Sequence, residues 1–238
     1  MRKQIPNIIT LLNLFSGTIA ITLAFNANFI GVVIWVVIAA IFDFFDGMAA
    51  RLLKAYSPLG KELDSLADIV SFGVAPAAAL YVLMRNNFIY PDVLQTISHL
   101  IPYLAFLIPV FAAYRLAKFN IDTRQSHSFI GLPTPANGLF WVSYCYAIDK
   151  LLLHNELIIY ATVIAVIIMS ILMIAEIPMF SFKFKNKGFK GNVKQIIQIT
   201  LTIALVAIFG IGGVALSIIA YILLSIIDAS YKNKALNN

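Results

Sequence analysis

The chain is expected to be all-α, a polytopic membrane helix bundle of about eight transmembrane helices with both termini in the cytoplasm. Three observations carry that expectation. Hydrophobic residues make up 61% of the sequence and charged residues only 12%, about half the charge of an ordinary soluble domain, and the mean hydropathy is +0.90. Apolar segments of about 17 to 22 residues alternate with polar or turn-forming punctuation, the length a helix needs to cross roughly 30 Å of hydrocarbon. The basic residues fall almost wholly on one side of such an alternating path. With 238 residues the chain forms one integral membrane domain and leaves no stretch for a soluble domain of ordinary size.

The first segment, about residues 8–25, begins within "MRKQIPNIITLLNLFSG". Its start is basic like that of a signal peptide, but it runs on without a small-x-small cleavage site, so it reads as a retained span. The second, about 30–50, carries Asp43 and Asp46 in its last half. Gly60 permits a turn before the third, about 64–84, which opens on Asp64 and Asp68. There "APAAAL", Ala75 to Leu80, offers a small-residue face for close packing within the bundle or between subunits. The fourth, about 98–118, ends on Arg115 and Lys118, and Pro133 and Pro135 stiffen the entry to the fifth, about 135–152. The sixth, about 157–175, completes a six-helix core over residues 1–176. A basic cytoplasmic loop comes next at 177–193; "FSFKFKNKGFKGNVK", Phe180 to Lys194, interleaves lysine with phenylalanine and suits either a topological anchor or an anionic lipid surface. Residues 194–230 are too long for one crossing, and "GIGG", Gly210 to Gly213, forms a tight reversal. Residues 194–231 therefore read as a transmembrane hairpin, its two spans at about 194–210 and 213–230.

Starting from a cytoplasmic N-terminus, fifteen Lys and Arg lie on the cytoplasmic side, among them Arg2, Lys3, Arg51, Lys61, Arg124 and five lysines between 183 and 194. Only Arg85 and Lys150 fall outside, which supports both the orientation and the even number of spans. The formal net charge of +6 is thereby accounted for as topology, and no nucleic-acid partner is implied. A single cysteine, Cys145, excludes an intramolecular disulfide, and His99, His127 and His154 lie too far apart in sequence to suggest a zinc site.

Asp43, Asp46, Asp64 and Asp68 stand out against this background. A carboxylate at the centre of a membrane helix costs about 2.5 to 3.5 kcal/mol even on a lenient insertion scale, so four together need a compensating partner. Residues three apart (Asp43, Asp46) and four apart (Asp64, Asp68) each project from one helix face, and two antiparallel helices joined by a short loop would aim the pairs at each other. Such a cluster cannot stay ionised without cations. Oxygen-only ligands in this number suit Mg²⁺ or Mn²⁺, with room for two ions. Arg51 is the alternative partner, but one arginine cannot balance four carboxylates. Gly47 and Ala50 leave a small-residue face beside the acids, and with Arg51 and Lys61 nearby the place suits a phosphate-bearing substrate whose apolar remainder stays in the bilayer.

The spacing D-x2-D-G-x2-A-R-x8-G-x3-D-x3-D resembles the signature of the CDP-alcohol phosphatidyltransferase family, and Asp43, Asp46, Gly47, Ala50, Arg51, Gly60, Asp64 and Asp68 match it throughout. "PNIITLLNLFSG", "DSLADIVSFGVAPA", "RLAKFN" (Arg115 to Asn120) and "FIGLPTPAN" (Phe129 to Asn137) are similar to the phosphatidylserine synthase branch of that family, over roughly residues 5–140. The resemblance implies transfer of a phosphatidyl group from CDP-diacylglycerol to an alcohol, with release of CMP, in a cell (inner) membrane enzyme whose active site faces the cytoplasm. It implies that Asp43, Asp46 and Asp64 bind a divalent metal pair and that Asp68, which can also touch metal, is the general base. Gly47, Ala50, Arg51 and Gly60 are implied to meet the nucleotide and pyrophosphate, with Lys61 beside them, and Asn7 and Thr10 to face the cytidine. A homodimer is also implied.

For L-serine as acceptor, a zwitterion, the pocket needs a cation for the carboxylate and an acceptor for the ammonium; Arg115, Lys118 and Asn120 with the "GLPTPAN" loop are the candidates. Arg115 has an alternative role as a helix anchor or lipid-phosphate ligand. Glycerol 3-phosphate or inositol phosphate are the alternative acceptors. A divalent-cation transporter and an assembly scaffold are readings from other classes. Neither accounts for the motif spacing; the acids cluster on one side while the outer ends of the spans are apolar, and a scaffold has no need of four charges in lipid.

Overall fold

The computed structural model describes residues 4–122, 129–153, 155–180 and 192–236. Its elements are α1 (Ile5–Phe25), α2 (Phe29–Leu52), α3 (Pro58–Asp68), a π-helical turn (Ile69–Val74) and α4 (Ala75–Asn87). Two 3₁₀ turns (Asp92–Ile97, Ile101–Phe106) lead into α5 (Leu107–Ile121), followed by α6 (Thr134–Lys150), α7 (Glu156–Ile174), α8 (Val193–Phe209) and α9 (Gly212–Leu236). A two-residue antiparallel pair, β1 (Phe129–Ile130) with β2 (Pro178–Met179), is the one element outside the all-helical expectation among the described residues.

Helix starts follow local chemistry. Pro6 sits in the first turn of α1, where its missing N–H costs nothing. Asn28, Ser57 and Asn155 cap α2, α3 and α7 by accepting the backbone N–H of Gly31 (3.0 Å), Gly60 (3.0 Å) and Ile158 (3.1 Å).

The bundle has the inverted polarity of a membrane protein. On α1 the small and polar residues Asn7, Thr10, Asn13, Ser16, Gly17 and Ala20 face inward, while Ile8, Leu11, Leu12 and Phe15 are exposed. α1 packs along α2, α4 lies against α1 and α6, α5 against α7, and α9 against α6 and α8. Trp141, Phe140 and Cys145 of α6 lie buried at the centre. Buried polar residues tie the C-terminal pair together: Gln198 Nε2 donates to the Ser217 carbonyl at 2.9 Å, and the Thr202 and Ser217 hydroxyls lie 2.6 Å apart.

Each of the eight expected apolar segments coincides with a helical rod. Six are long and apolar enough to cross a membrane (Ile5–Phe25, Phe29–Leu52, Pro58–Asn87, Ile101–Ile121, Glu156–Ile174 and Gly212–Ser230). α6 and α8, with 17 residues each, are shorter, about 25 Å. Arg2, Lys3, Arg124, Lys183, Lys185, Lys187, Lys190, His127, His154 and most of the expected 177–193 loop lie outside the described residues, as do the side chains of Lys232 and Lys234.

Basic residues segregate between the two ends of the bundle. Lys61 of α3 donates to the Asn120 carbonyl of α5, and Lys118 pairs with Glu176 at 3.2 Å, which gathers the ends of α5 and α7 beside the start of α3. Arg85 and Lys150 lie in the last turns of α4 and α6, two ends joined by Asn87 Nδ2 donating to Asp149 Oδ1 at 3.0 Å.

Candidate active site

The site begins with the α2–α3 reversal. α2 ends at Leu52, Lys54 turns the chain with φ of 50°, Ala55 is buried, and Ser57 and Pro58 start α3 back alongside. The two helices bring carboxylate oxygens of Asp43, Asp64 and Asp68 within 4.8 Å of one another. Asp46 stands beside this trio and accepts the Thr10 hydroxyl of α1 at 2.6 Å. Asp46 and Asp68 are buried, and Asp43 and Asp64 are half-buried.

Little in the protein offsets these charges. Asp68 Oδ1 accepts Asn13 Nδ2 at 3.4 Å, and Asp64 Oδ1 is buried with no hydrogen-bond partner. Among the described residues no salt bridge joins the four aspartates to a cation, and Arg51 is exposed on the last turn of α2. Three carboxylates this close, one with an unpartnered buried oxygen, form an oxygen-only donor set that fits a hard divalent ion.

A cavity of about 620 Å³ opens beside the acids between α1, α2 and α3. Of the residues expected to meet the nucleotide, Asn7, Thr10, Gly47, Ala50, Gly60 and Lys61 line it together with Asp46 and Asp64; Arg51 is not among the lining residues. A Cβ on Gly47 would meet nothing within 4 Å, so this glycine keeps the floor of the cavity open. The volume is that of a small-molecule site.

The three residues expected near the acceptor separate in their surroundings. Arg115 is buried on α5; its Nη1 donates to Thr134 Oγ1 at 2.8 Å, and its Nε has no hydrogen-bond partner. Lys118 is paired with Glu176, and Asn120 Nδ2 donates to Ser65 Oγ at 2.9 Å, so these two brace α5 against α7 and α3.

Several residues around the site went unnoticed in the sequence. Asn13 touches Asp68, and its own carbonyl accepts Ser71 Oγ at 3.0 Å. Ser71 belongs to the π turn directly after Asp68, where Ala75 N–H reaches back to the Val70 carbonyl, an i to i−5 bond. Pro76 explains the wider turn: it has no N–H to give to residue 72, and its ring would crowd that carbonyl in a regular α-helix. Two glycines hold the turn in place. A Cβ on Gly17 would lie 2.3 Å from Ser71 Oγ and 2.8 Å from its Cα, and one on Gly138 would lie 2.9 Å from Phe72 Cα. The signal for Asn13 was present in the sequence: Asn7, Thr10, Asn13 and Gly17 recur at helical spacing along one face of a largely apolar span.

The family model for CDP-alcohol phosphatidyltransferases matches residues 3–227, nearly the whole chain. The chain belongs to the CDP-alcohol phosphatidyltransferase family. Among its relatives, a protein of Helicobacter pylori named CDP-diacylglycerol–serine O-phosphatidyltransferase is 32% identical over 228 residues, 93% of this chain and 89% of the relative. Proteins of the same name from Methanocaldococcus jannaschii and Bacillus subtilis are 35% identical over 205 residues and 34% identical over 151; the alignments cover 86% and 63% of this chain and 84% and 80% of those relatives. Family membership and site geometry converge on the same end of the bundle. Asp43, Asp64 and Asp68 form the only cluster of potential metal ligands among the described residues, and Asp64 also lines the cavity.

Proposed function

We propose that this protein transfers the phosphatidyl group of CDP-diacylglycerol to L-serine, yielding phosphatidylserine and CMP. The observation that carries the reading is the approach of Asp43, Asp64 and Asp68 to within 4.8 Å beside a cavity lined by Asp46, Gly47 and Gly60, in a chain whose relatives bear the serine transferase name. Asp43, Asp46, Asp64 and Asp68 would hold a pair of divalent ions, Mg²⁺ or Mn²⁺, whose charge offsets that of the pyrophosphate and of the departing CMP.

The chain's own residues supply the rest. Asn7, Thr10, Gly47, Ala50 and Gly60 receive the cytidine diphosphate in the cavity, with Lys61 at its rim and Arg51 next to Ala50, while the diacylglycerol stays in the hydrocarbon. Asn13 fixes one oxygen of Asp68, and the other takes the proton from the serine hydroxyl. The serine oxygen forms its bond to the phosphorus bearing diacylglycerol as the bond from that phosphorus to the CMP oxygen breaks, and CMP leaves with the electron pair. Arg115 pairs with the serine carboxylate, with Lys118 and Asn120 at the rim formed by the end of α5. The enzyme works in the cell membrane as a homodimer with the site and both termini cytoplasmic, the side that the one-sided distribution of Lys and Arg favours.

The test is an acceptor panel. Purified protein in nanodiscs, given CDP-diacylglycerol and a divalent ion, is expected to release CMP with L-serine and not with glycerol 3-phosphate, inositol or inositol phosphate. Release with glycerol 3-phosphate and none with serine would overturn the serine assignment.

A further inference from the structure

α6 carries a polar face where it meets the site. Thr134 and Asn137 are three residues apart and share that face, and both are completely buried. Thr134 receives Arg115 Nη1 at 2.8 Å. Asn137 is unlike it: neither Nδ2 nor Oδ1 has a hydrogen-bond partner, and Arg115 Nε lacks one as well. A fully buried amide with both ends unpaired is costly, and a buried polar group left this way calls for a ligand or water that completes it.

The position of Asn137 in the fold indicates which ligand. Its neighbour Gly138 packs on Phe72 so closely that a Cβ would lie 2.9 Å from the Phe72 backbone, and Phe72 belongs to the π turn that starts immediately after Asp68. Asn137 therefore lies on α6 between the contact that holds Arg115 and the contact that holds the segment following the base. A small molecule that reached both Arg115 Nε and Asn137 would pair a guanidinium with an amide oxygen. That pairing matches an α-amino acid, with its carboxylate toward Arg115 and its ammonium donating to Asn137 Oδ1.

We infer that Asn137 is the specificity-determining residue of the acceptor site, recognising the α-ammonium of the amino acid through Oδ1. The inference rests on the serine reading proposed above and adds to it the group that separates serine from acceptors lacking an amine. Such discrimination is strong where a site is built around a buried polar group, because the wrong ligand leaves that group unpaired.

The experiment compares wild type with Asn137→Ala in nanodiscs, following CMP release at varied L-serine. 3-Hydroxypropionate, which is serine without its ammonium, serves as a competing ligand. Asn137→Ala is expected to raise the KM for serine about tenfold or more, as for loss of a hydrogen bond to a charged group, with the KM for CDP-diacylglycerol unchanged. Inhibition by 3-hydroxypropionate is expected to be equal in the two proteins. Asn137→Ser replaces the alanine variant if that one is not monodisperse. An unchanged serine KM, an equal weakening of serine and 3-hydroxypropionate, or failure of both variants to fold would overturn the inference by leaving Asn137 a structural role alone. Failure of the serine reading itself would show earlier, as wild-type protein that releases CMP only with another alcohol.

Discussion

Asp46 and Asp68 are both buried, yet their hydrogen-bonding neighbours differ. Asp46 accepts a hydrogen bond of 2.6 Å from the Thr10 hydroxyl, whereas Asp68 has the weaker amide contact of Asn13 at 3.4 Å and stands beside the π turn. Asp68→Asn is expected to abolish turnover, by about 10²-fold or more as is typical for loss of a general base, while CDP-diacylglycerol and metal binding largely persist. Asp43→Asn is expected to impair both binding and turnover. Isothermal titration with Mn²⁺ alongside CMP release separates the two, and equal loss of metal affinity in both variants would assign Asp68 to coordination. At this scale the aspartates were legible because four carboxylates in an apolar chain have few explanations. Asn137 was legible only as the last residue of the GLPTPAN loop, since one amide at the start of a span, two residues after Pro135, looks like ordinary helix-entry chemistry until its burial and its lack of partners are seen.

At the scale of the elements, the π turn between α3 and α4 is the feature that most shapes the site. It is gripped by α1 through Gly17 and by α6 through Gly138, and so fixes how Asp64 and Asp68 are rotated relative to α2. Gly17→Ala places a methyl group 2.3 Å from Ser71 Oγ and 2.8 Å from Ser71 Cα, and the backbone has to move. A destabilisation of about 1 to 3 kcal/mol is expected, the usual result of overpacking, together with reduced turnover. Thermal unfolding in detergent checks the first and CMP release the second; no change in either would mean that α1 does not hold the turn. The apolar segments were readable from length and punctuation. The π turn was not, because hydropathy does not register an extra residue within a helix, and the only local sign was Pro76 after Gly73. The third helix also starts at Pro58, six residues ahead of the expected 64, since its first turns are too polar to resemble a span. The β1–β2 pair escaped notice for a similar reason: two residues on each side leave no periodicity to read.

At the scale of the whole molecule, a bundle with lipid-facing aliphatic side chains encloses polar groups at one end and leaves the other end sparsely charged. The acids, the cavity and Lys61, Arg115 and Lys118 share the first end, and Arg85 and Lys150 mark the second. Such asymmetry suits chemistry at one membrane surface, where a soluble alcohol meets a lipid-borne pyrophosphate. The segregation of basic residues between the two ends was legible because the charge pattern is a property of the whole chain and tolerates errors of several residues in any boundary. The contact of Arg115 with Thr134 was much less so, because it joins α5 to α6 only after folding. The central claim, that the aspartate cluster carries divalent-dependent transfer to serine, is tested most directly by measuring CMP and serine-containing lipid in the same sample before chelation, after it, and after Mg²⁺ or Mn²⁺ is returned. Equal amounts of both products, lost with the chelator and regained with the ion, are expected; full turnover without a divalent ion, or CMP released with no serine entering lipid, would contradict the account.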